Sequence, residues 1–231
     1  MLKKKVIGIL GGMGPEATAD LFIRIIRATP AKRDQDHIRV IIDSNPRIPD
    51  RTAAIMGRGP TPLREMMKTA KNLERAGADL IIIPCNTAHY YYEELKRGIR
   101  IPVLNIVGLT AQMVRNQFSN IKKVGFIGTT GTIISGIYDQ ALQKRVIYPP
   151  QKLQDKVMEA IYDKIKAGQI NEGKDIIIEV ATHLIMEGAE IIVCGCTEVS
   201  LVLKSVDVPV PVIDPLQILA ETAVAEALGK S

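Results

Sequence analysis

The sequence predicts an α/β protein made of two related α/β halves with mostly parallel sheets. Three observations carry this. Short β-branched runs alternate with longer stretches of helical apolar spacing. The short runs are apolar throughout rather than every second residue, the pattern of parallel strands covered on both faces by helices. The chain also aligns with itself. Gly77-Ala78-Asp79-Leu80-Ile81-Ile82-Ile83-Pro84-Cys85-Asn86-Thr87 matches Gly188-Ala189-Glu190-Ile191-Ile192-Val193-Cys194-Gly195-Cys196-Thr197-Glu198, and Ile101-Pro102-Val103 matches Val208-Pro209-Val210. Lys4-Lys5-Val6-Ile7-Gly8 matches Lys122-Lys123-Val124-Gly125-Phe126, and the three matches fall in the same order at similar separations.

Taken along the chain, strands are expected at 6–10, 40–43, 80–83, 103–105, 124–127, 191–194 and 210–213, each bounded by Gly, Pro or Asn. Helices are expected at 17–27, 63–76 and 176–186, with Pro15 suited to the first turn of the first of them. The duplication divides the chain into a first half, 1–106, and a second half, 107–213, related by a pseudo-twofold. The segment 214–231 is expected to pack back on the first half, because that half's own corresponding helix follows Asn105 and crosses over. Ligands of such sheets bind beyond the carboxyl ends of the strands, which places the active site in a cleft between the halves.

Composition narrows the function. In 231 residues the aromatics are only 4% with no Trp, too few for a surface that stacks bases. The net charge of +5 is spread out, apart from Lys3-Lys4-Lys5, so it favours small anions and not a nucleic-acid footprint. No apolar run approaches the roughly 20 residues that cross a bilayer. Three cysteines form no disulfide framework, so a soluble cytoplasmic protein with reduced thiols is expected.

The duplication singles out two of those cysteines. Cys85 and Cys196 each end a strand just before a helix, where backbone N–H groups and the helix dipole are expected to lower a thiol pKa. On opposite sides of one cleft, such a pair suits removal of a weakly acidic Cα proton from one face of a molecule and delivery of a proton to the other. Asn86, Thr87 and Thr197 are placed to donate to the carboxylate of the developing carbanion. The plain alternative is that cysteine is a small buried hydrophobe. That reading suits Cys194, which aligns with Ile83 inside a strand.

The motifs Gly11-Gly12-Met13-Gly14-Pro15, Ile48-Pro49-Asp50-Arg51-Thr52, Pro84-Cys85-Asn86-Thr87-Ala88-His89, Thr129-Thr130-Gly131-Thr132 and Gly195-Cys196-Thr197-Glu198 resemble those of the cofactor-independent aspartate/glutamate racemase family, above all its aspartate racemases. The resemblance runs through nearly the whole chain. It implies racemization of an acidic amino acid, with Cys85 and Cys196 as bases on opposite faces, no cofactor and no metal, and a homodimer. It further implies substrate contacts by Met13, Asn45, Pro49, Asp50, Arg51, Asn86, Thr87, Ala88, Thr129, Thr130, Thr132, Lys166, Thr197 and Glu198. Aspartate is the expected substrate, with glutamate or a broader range of amino acids as alternatives. By themselves, Thr129, Thr130 and Thr132 either bind a carboxylate or cap a helix. Lys166 alone reads as a solvated lysine at a helix end.

Two other classes compete. Gly12-x-Gly14-x-x-Ala17 after a strand fits a loose dinucleotide fingerprint, with Asp43 as the ribose-binding acid of an NAD-linked oxidoreductase. Cys85, His89, Cys194 and Cys196 offer thiols and an imidazole for a metal-binding module, although paired Cys-x-x-Cys spacing is missing. Outside that module, His89 reads as an orienting or surface residue.

Overall fold

The structure is a computed structural model, and it describes residues 4–230. Of the expected lysine cluster, Lys3 lies outside the described residues. The chain forms two compact units: residues up to Ile106 together with those from Leu216 onward, and Val107–Pro215.

In the first unit the sheet order is β2-β1-β3, with β1 at Ile7–Gly11, β2 at Val40–Ser44 and β3 at Leu80–Ile82. Both pairings are parallel, Ile7 lying opposite Val40 on one side and Leu80 on the other. β1 is central and buried along its whole length, as its unbroken aliphatic run requires. The helix Pro15–Ala28 begins with proline at its first turn and buries Ala17, Leu21 and Ile25 at four-residue spacing. The helix Leu63–Arg75 buries Met66, Thr69, Ala70 and Leu73, one stripe of a 3.6-residue period.

The strand expected at 103–105 is reduced to a single parallel bridge, Ile81 to Val103. Ile81 N–H donates to Pro102 O and Leu104 N–H to Ile81 O. Pro102 has no N–H to extend the ladder, and the chain turns at once into the helix Ile106–Gln117. That helix belongs to the second unit from Val107 onward, whereas the helix Pro215–Ala227 joins the first from Leu216. There Ala227 O accepts the N–H of Lys5, and Arg24 donates to the Gln217 side chain. Leu216, Leu219, Ala220 and Ala223 form the buried face of this last helix.

The second unit repeats the plan. β4 (Lys123–Ile127), β5 (Arg145–Ile147), β6 (Ile191–Cys194) and β7 (Val212–Ile213) stand in the order β5-β4-β6-β7, all parallel. Its first strand is again central, its second lies on one side and its third on the other, so the duplication read from the sequence is present in the topology. β5 was not expected. It is three residues long and starts with the exposed Arg145, too little apolar signal to stand out. The helix expected at 176–186 begins earlier and runs Ile170–Met186. Before it, the helix Gln151–Glu159 continues through a wider turn, Ala160–Lys164, and a tight one, Ile165–Ala167, which ends at Gly168 with φ 82°. A residue with that φ favours glycine, and the turn presents Lys166.

Candidate active site

In the first unit the expected site residues gather at the carboxyl edge of the parallel sheet. After β1, Gly12 has φ +91° and lies so close to Asn45 that a Cβ there would stand 2.3 Å from the Asn45 carbonyl carbon. Its N–H donates to Thr18 Oγ1 at 2.9 Å. The glycine is thus accounted for by the chain packing on itself, and its amide is bonded to a threonine. This removes the main support for the dinucleotide reading, and its candidate acid, Asp43, accepts from Asn72 at 3.2 Å. Asn45, after β2, donates to Thr69 Oγ1 and accepts from Arg47 N–H, so it organises its own turn.

The next segment carries Asp50 and Arg51. The Asp50 carboxylate caps the short helix Arg51–Ile55, accepting from Ala53 N–H at 2.7 Å. Arg51 is the first residue of that helix and is buried, at 8% exposure. Its guanidinium donates to Pro49 O at 3.1 Å and, at 3.4 Å, to Ile48 O and Met13 O. Arg51 therefore ties the 48–50 segment to the turn after β1 and brings Met13 and Pro49 beside it.

Cys85 follows β3 by three residues, its N–H bonded to Ile83 O at 2.8 Å. Asn86, Thr87, Ala88 and His89 are all buried in the tight turn that follows. His89 is not at the surface. Its Nε2 faces the N–H of Ile106 at 3.2 Å, and a backbone N–H only donates, so Nε2 carries no proton. The proton sits on Nδ1, which donates to Cys85 O at 2.9 Å. Burial pushes the imidazole pKa down and keeps it neutral. His89 thus fixes the backbone of the first cysteine.

In the second unit Cys196 follows β6 and precedes the helix Thr197–Val202. The residue before it has to be glycine, since a Cβ on Gly195 would stand 1.8 Å from the Phe126 ring. The Cys196 thiol donates to Glu198 Oε2 at 2.9 Å, and the Thr197 hydroxyl donates to the same oxygen at 3.2 Å. Lys166 Nζ lies 3.8 Å from Glu198 Oε1 and over the Tyr162 ring. The expectation of a lowered thiol pKa fails here. Burial raises the Cys196 pKa well above its usual value, the anionic Glu198 raises it further, and Lys166 only partly opposes them. A six-residue helix does not outweigh an unsolvated thiol beside a carboxylate. Cys194 is completely buried as the last residue of β6 and packs in the core of its unit.

Beyond β4, Thr129 Oγ1 accepts from Thr132 N–H at 3.3 Å and caps the helix Thr130–Ser135, and the two hydroxyls lie 3.0 Å apart. Thr130 is held by a residue that the sequence reading missed. Gln154 Nε2 donates to Gly128 O at 3.0 Å and to Thr130 Oγ1 at 3.2 Å. A glutamine inside a helix carries no sequence signal of such a role. Among the described residues, no group of three or more His, Cys, Asp or Glu is arranged to hold a metal, and both His89 nitrogens are engaged by backbone. Nor does any helix of the described residues have the length and apolar character to cross a membrane.

The chain is similar to known proteins along most of its length. The family model for Asp/Glu/Hydantoin racemases matches residues 10–223. The chain belongs to that racemase family. Among its relatives, it is 31% identical over 235 residues to the broad specificity amino-acid racemase RacX of Bacillus subtilis, covering 97% of this chain and 99% of that one. Among solved structures, the Picrophilus torridus aspartate racemase is 31% identical with a TM-score of 0.87, covering 96% of this chain and 94% of that one. The fold extends to the glutamate racemase of Francisella tularensis at 20% identity, with a TM-score of 0.69 over 99% of this chain and 82% of that one. The racemase fold thus accounts for the two-unit α/β architecture.

Proposed function

We propose that the protein is an amino-acid racemase acting on aspartate, with Cys85 and Cys196 as the two bases at one substrate. The observation that carries this reading is the repeated one: in each unit the strand beside the central strand leads into a buried cysteine followed by amide or hydroxyl side chains. One thiolate takes the Cα proton of the bound amino acid, and the electron pair left behind is delocalised into the α-carboxylate. The other cysteine, as thiol, delivers its proton to the opposite face. Asn86, Thr87 and Thr130 supply donors to the carboxylate as its charge grows, Thr197 keeps its hydroxyl hydrogen on Glu198, and Arg51 receives the side-chain carboxylate of aspartate. The chemistry asks for no cofactor, because both proton carriers are side chains.

Glu198 takes a different part from the substrate contact expected of it. A buried carboxylate repels a dicarboxylate substrate, and this one already accepts the Cys196 proton in a hydrogen bond. When Cys196 acts as base, its proton passes to Glu198, leaving a thiolate beside a neutral acid and the Lys166 cation. Likeness to RacX supports a second reading, in which a broader range of amino acids is turned over.

The test is solvent hydrogen at Cα. In deuterated water the wild type converts L-aspartate to D-aspartate with deuterium at Cα. Cys85→Ser and Cys196→Ser each lose inversion, while the remaining thiol exchanges hydrogen on its own face, so the two variants favour opposite enantiomers for exchange. Both variants favouring the same enantiomer overturns the two-base reading. A racemization screen across the common amino acids separates the aspartate reading from the broad one.

A further inference from the structure

Gln154 is buried at 5% exposure on the helix Gln151–Glu159, and no step of the chemistry above uses it. Its amide orientation is fixed by its partners. Gly128 O only accepts, so the group 3.0 Å away is the NH2. The second hydrogen of that NH2 points to Thr130 Oγ1 at 3.2 Å. Thr130 Oγ1 is therefore an acceptor in this bond, and its own hydrogen is left to donate elsewhere. One helical turn further on, Met158 Sδ faces the Thr130 N–H at 3.3 Å, so the same helix holds Thr130 at two points. The amide oxygen of Gln154, by contrast, is buried with no donor bonded to it among the described residues. A buried unsatisfied oxygen is unfavourable, and a methionine would fill the space without it. What the amide contributes here is its pair of donors.

We propose that Gln154 is a positioning residue that sets the donor direction of the Thr130 hydroxyl: by saturating Gly128 O and Thr130 Oγ1 with its two amide hydrogens, it leaves the threonine hydrogen to bond the substrate carboxylate. This rests on the racemase reading, in which Thr130 meets that carboxylate. Without Gln154 the Thr130 hydrogen turns to the vacated Gly128 carbonyl or rotates among several directions, and the carboxylate meets a lone pair as often as a hydrogen. The same helix leads on through the wider turn at Ala160–Lys164 to Lys166, beside Glu198, so it supports the carboxylate donor and the partner of the thiol together.

The experiment is a double-mutant cycle on L-aspartate racemization with Gln154→Met, Thr130→Val and the pair, the folding of each variant checked by its thermal midpoint. Losing one hydrogen bond to a charged group raises KM about tenfold, equivalent to about 1.4 kcal/mol, and affects kcat less. Each single variant should show that rise. In the double variant KM should rise no further than in Thr130→Val alone, because Gln154 acts only through the hydroxyl that valine lacks. KM effects that multiply, or a Gln154→Met variant with a lower thermal midpoint and an unchanged KM, overturn the proposal while the racemase reading stands. If Gln154→Met does not fold, Gln154→Glu takes its place. Its carboxylate accepts the Thr130 hydrogen itself, so the same rise is expected and an unchanged KM overturns the proposal. A Thr130→Val variant with wild-type KM removes Thr130 from the carboxylate site, and the proposal with it. A wild type that racemises no amino acid overturns the function itself.

Discussion

Replacing Glu198 by glutamine tests why the second thiol is held protonated. The substitution keeps the shape and removes one negative charge 2.9 Å from the Cys196 sulfur. At that distance a unit charge is worth about 1.4 kcal/mol in water-like surroundings and about 6 kcal/mol at an effective dielectric constant of about 20. At 1.36 kcal/mol per pH unit, the midpoint of Cys196 ionisation should fall by about 1 to 4 pH units. The direction is fixed: the anion favours the neutral thiol, so its loss favours the thiolate, and only burial is then left to oppose the nearby Lys166 cation. The assay is the rate of iodoacetamide alkylation of Cys196 as a function of pH, read on the Cys196 peptide by mass spectrometry so that Cys85 and Cys194 do not interfere. Alkylation should reach half its limiting rate at lower pH in Glu198→Gln than in wild type. Racemization at neutral pH should fall even though the thiol is more acidic, because glutamine cannot take the Cys196 proton in the stroke in which the cysteine is the base. A midpoint that stays put would assign the raised pKa to burial alone and remove Glu198 as the partner of the thiol.

Further outcomes follow from the same geometry. Cys196→Ala and Cys85→Ala should each lower racemization by several powers of ten, while Cys194→Ala should cost packing of order 1 kcal/mol and leave turnover nearly intact, as thermal denaturation and turnover together will show. Arg51→Lys keeps the charge but loses the forked donor, so aspartate KM should rise more than folding stability falls; unchanged aspartate kinetics would take Arg51 out of the site. His89 is neutral in the fold with its pKa pushed below the ordinary 6.5, so the unfolded chain binds the extra proton first as pH falls. Stability should therefore drop below about pH 6.5 by at most about 1.4 kcal/mol per pH unit, and urea midpoints of His89→Asn should lack that part of the slope.

What could be read from the sequence was what neighbours along the chain decide. β1, β3, β4 and β6 are aliphatic runs with glycine or proline nearby, and each was located within two residues at either end. The two cysteines emerged from comparing one half with the other. β5 and the shortened edge at Val103 escaped because so few residues pair there. The state of the Cys196 thiol is not legible from its place before a helix, because that helix has only six residues while burial and a carboxylate two positions away, both set by the fold, hold the proton on sulfur. Gln154 was invisible because its partners, Gly128 and Thr130, lie on a separate segment and meet it only in the folded chain.

The membership of the helix Pro215–Ala227 in the first unit sets an order for synthesis. The second unit contains only residues from Val107 to Pro215, so it is complete as soon as that stretch leaves the ribosome. The first unit, although its strands are made earliest, still lacks the helix Pro215–Ala227 that accepts the Lys5 N–H and buries Leu216, Leu219 and Ala223. Its apolar face stays open until the helix Pro215–Ala227 has been made. The usual rule that the amino-terminal part of a chain matures first is here reversed. A released fragment that ends at Pro215 should protect residues 107–215 from protease while residues 1–106 are still cut.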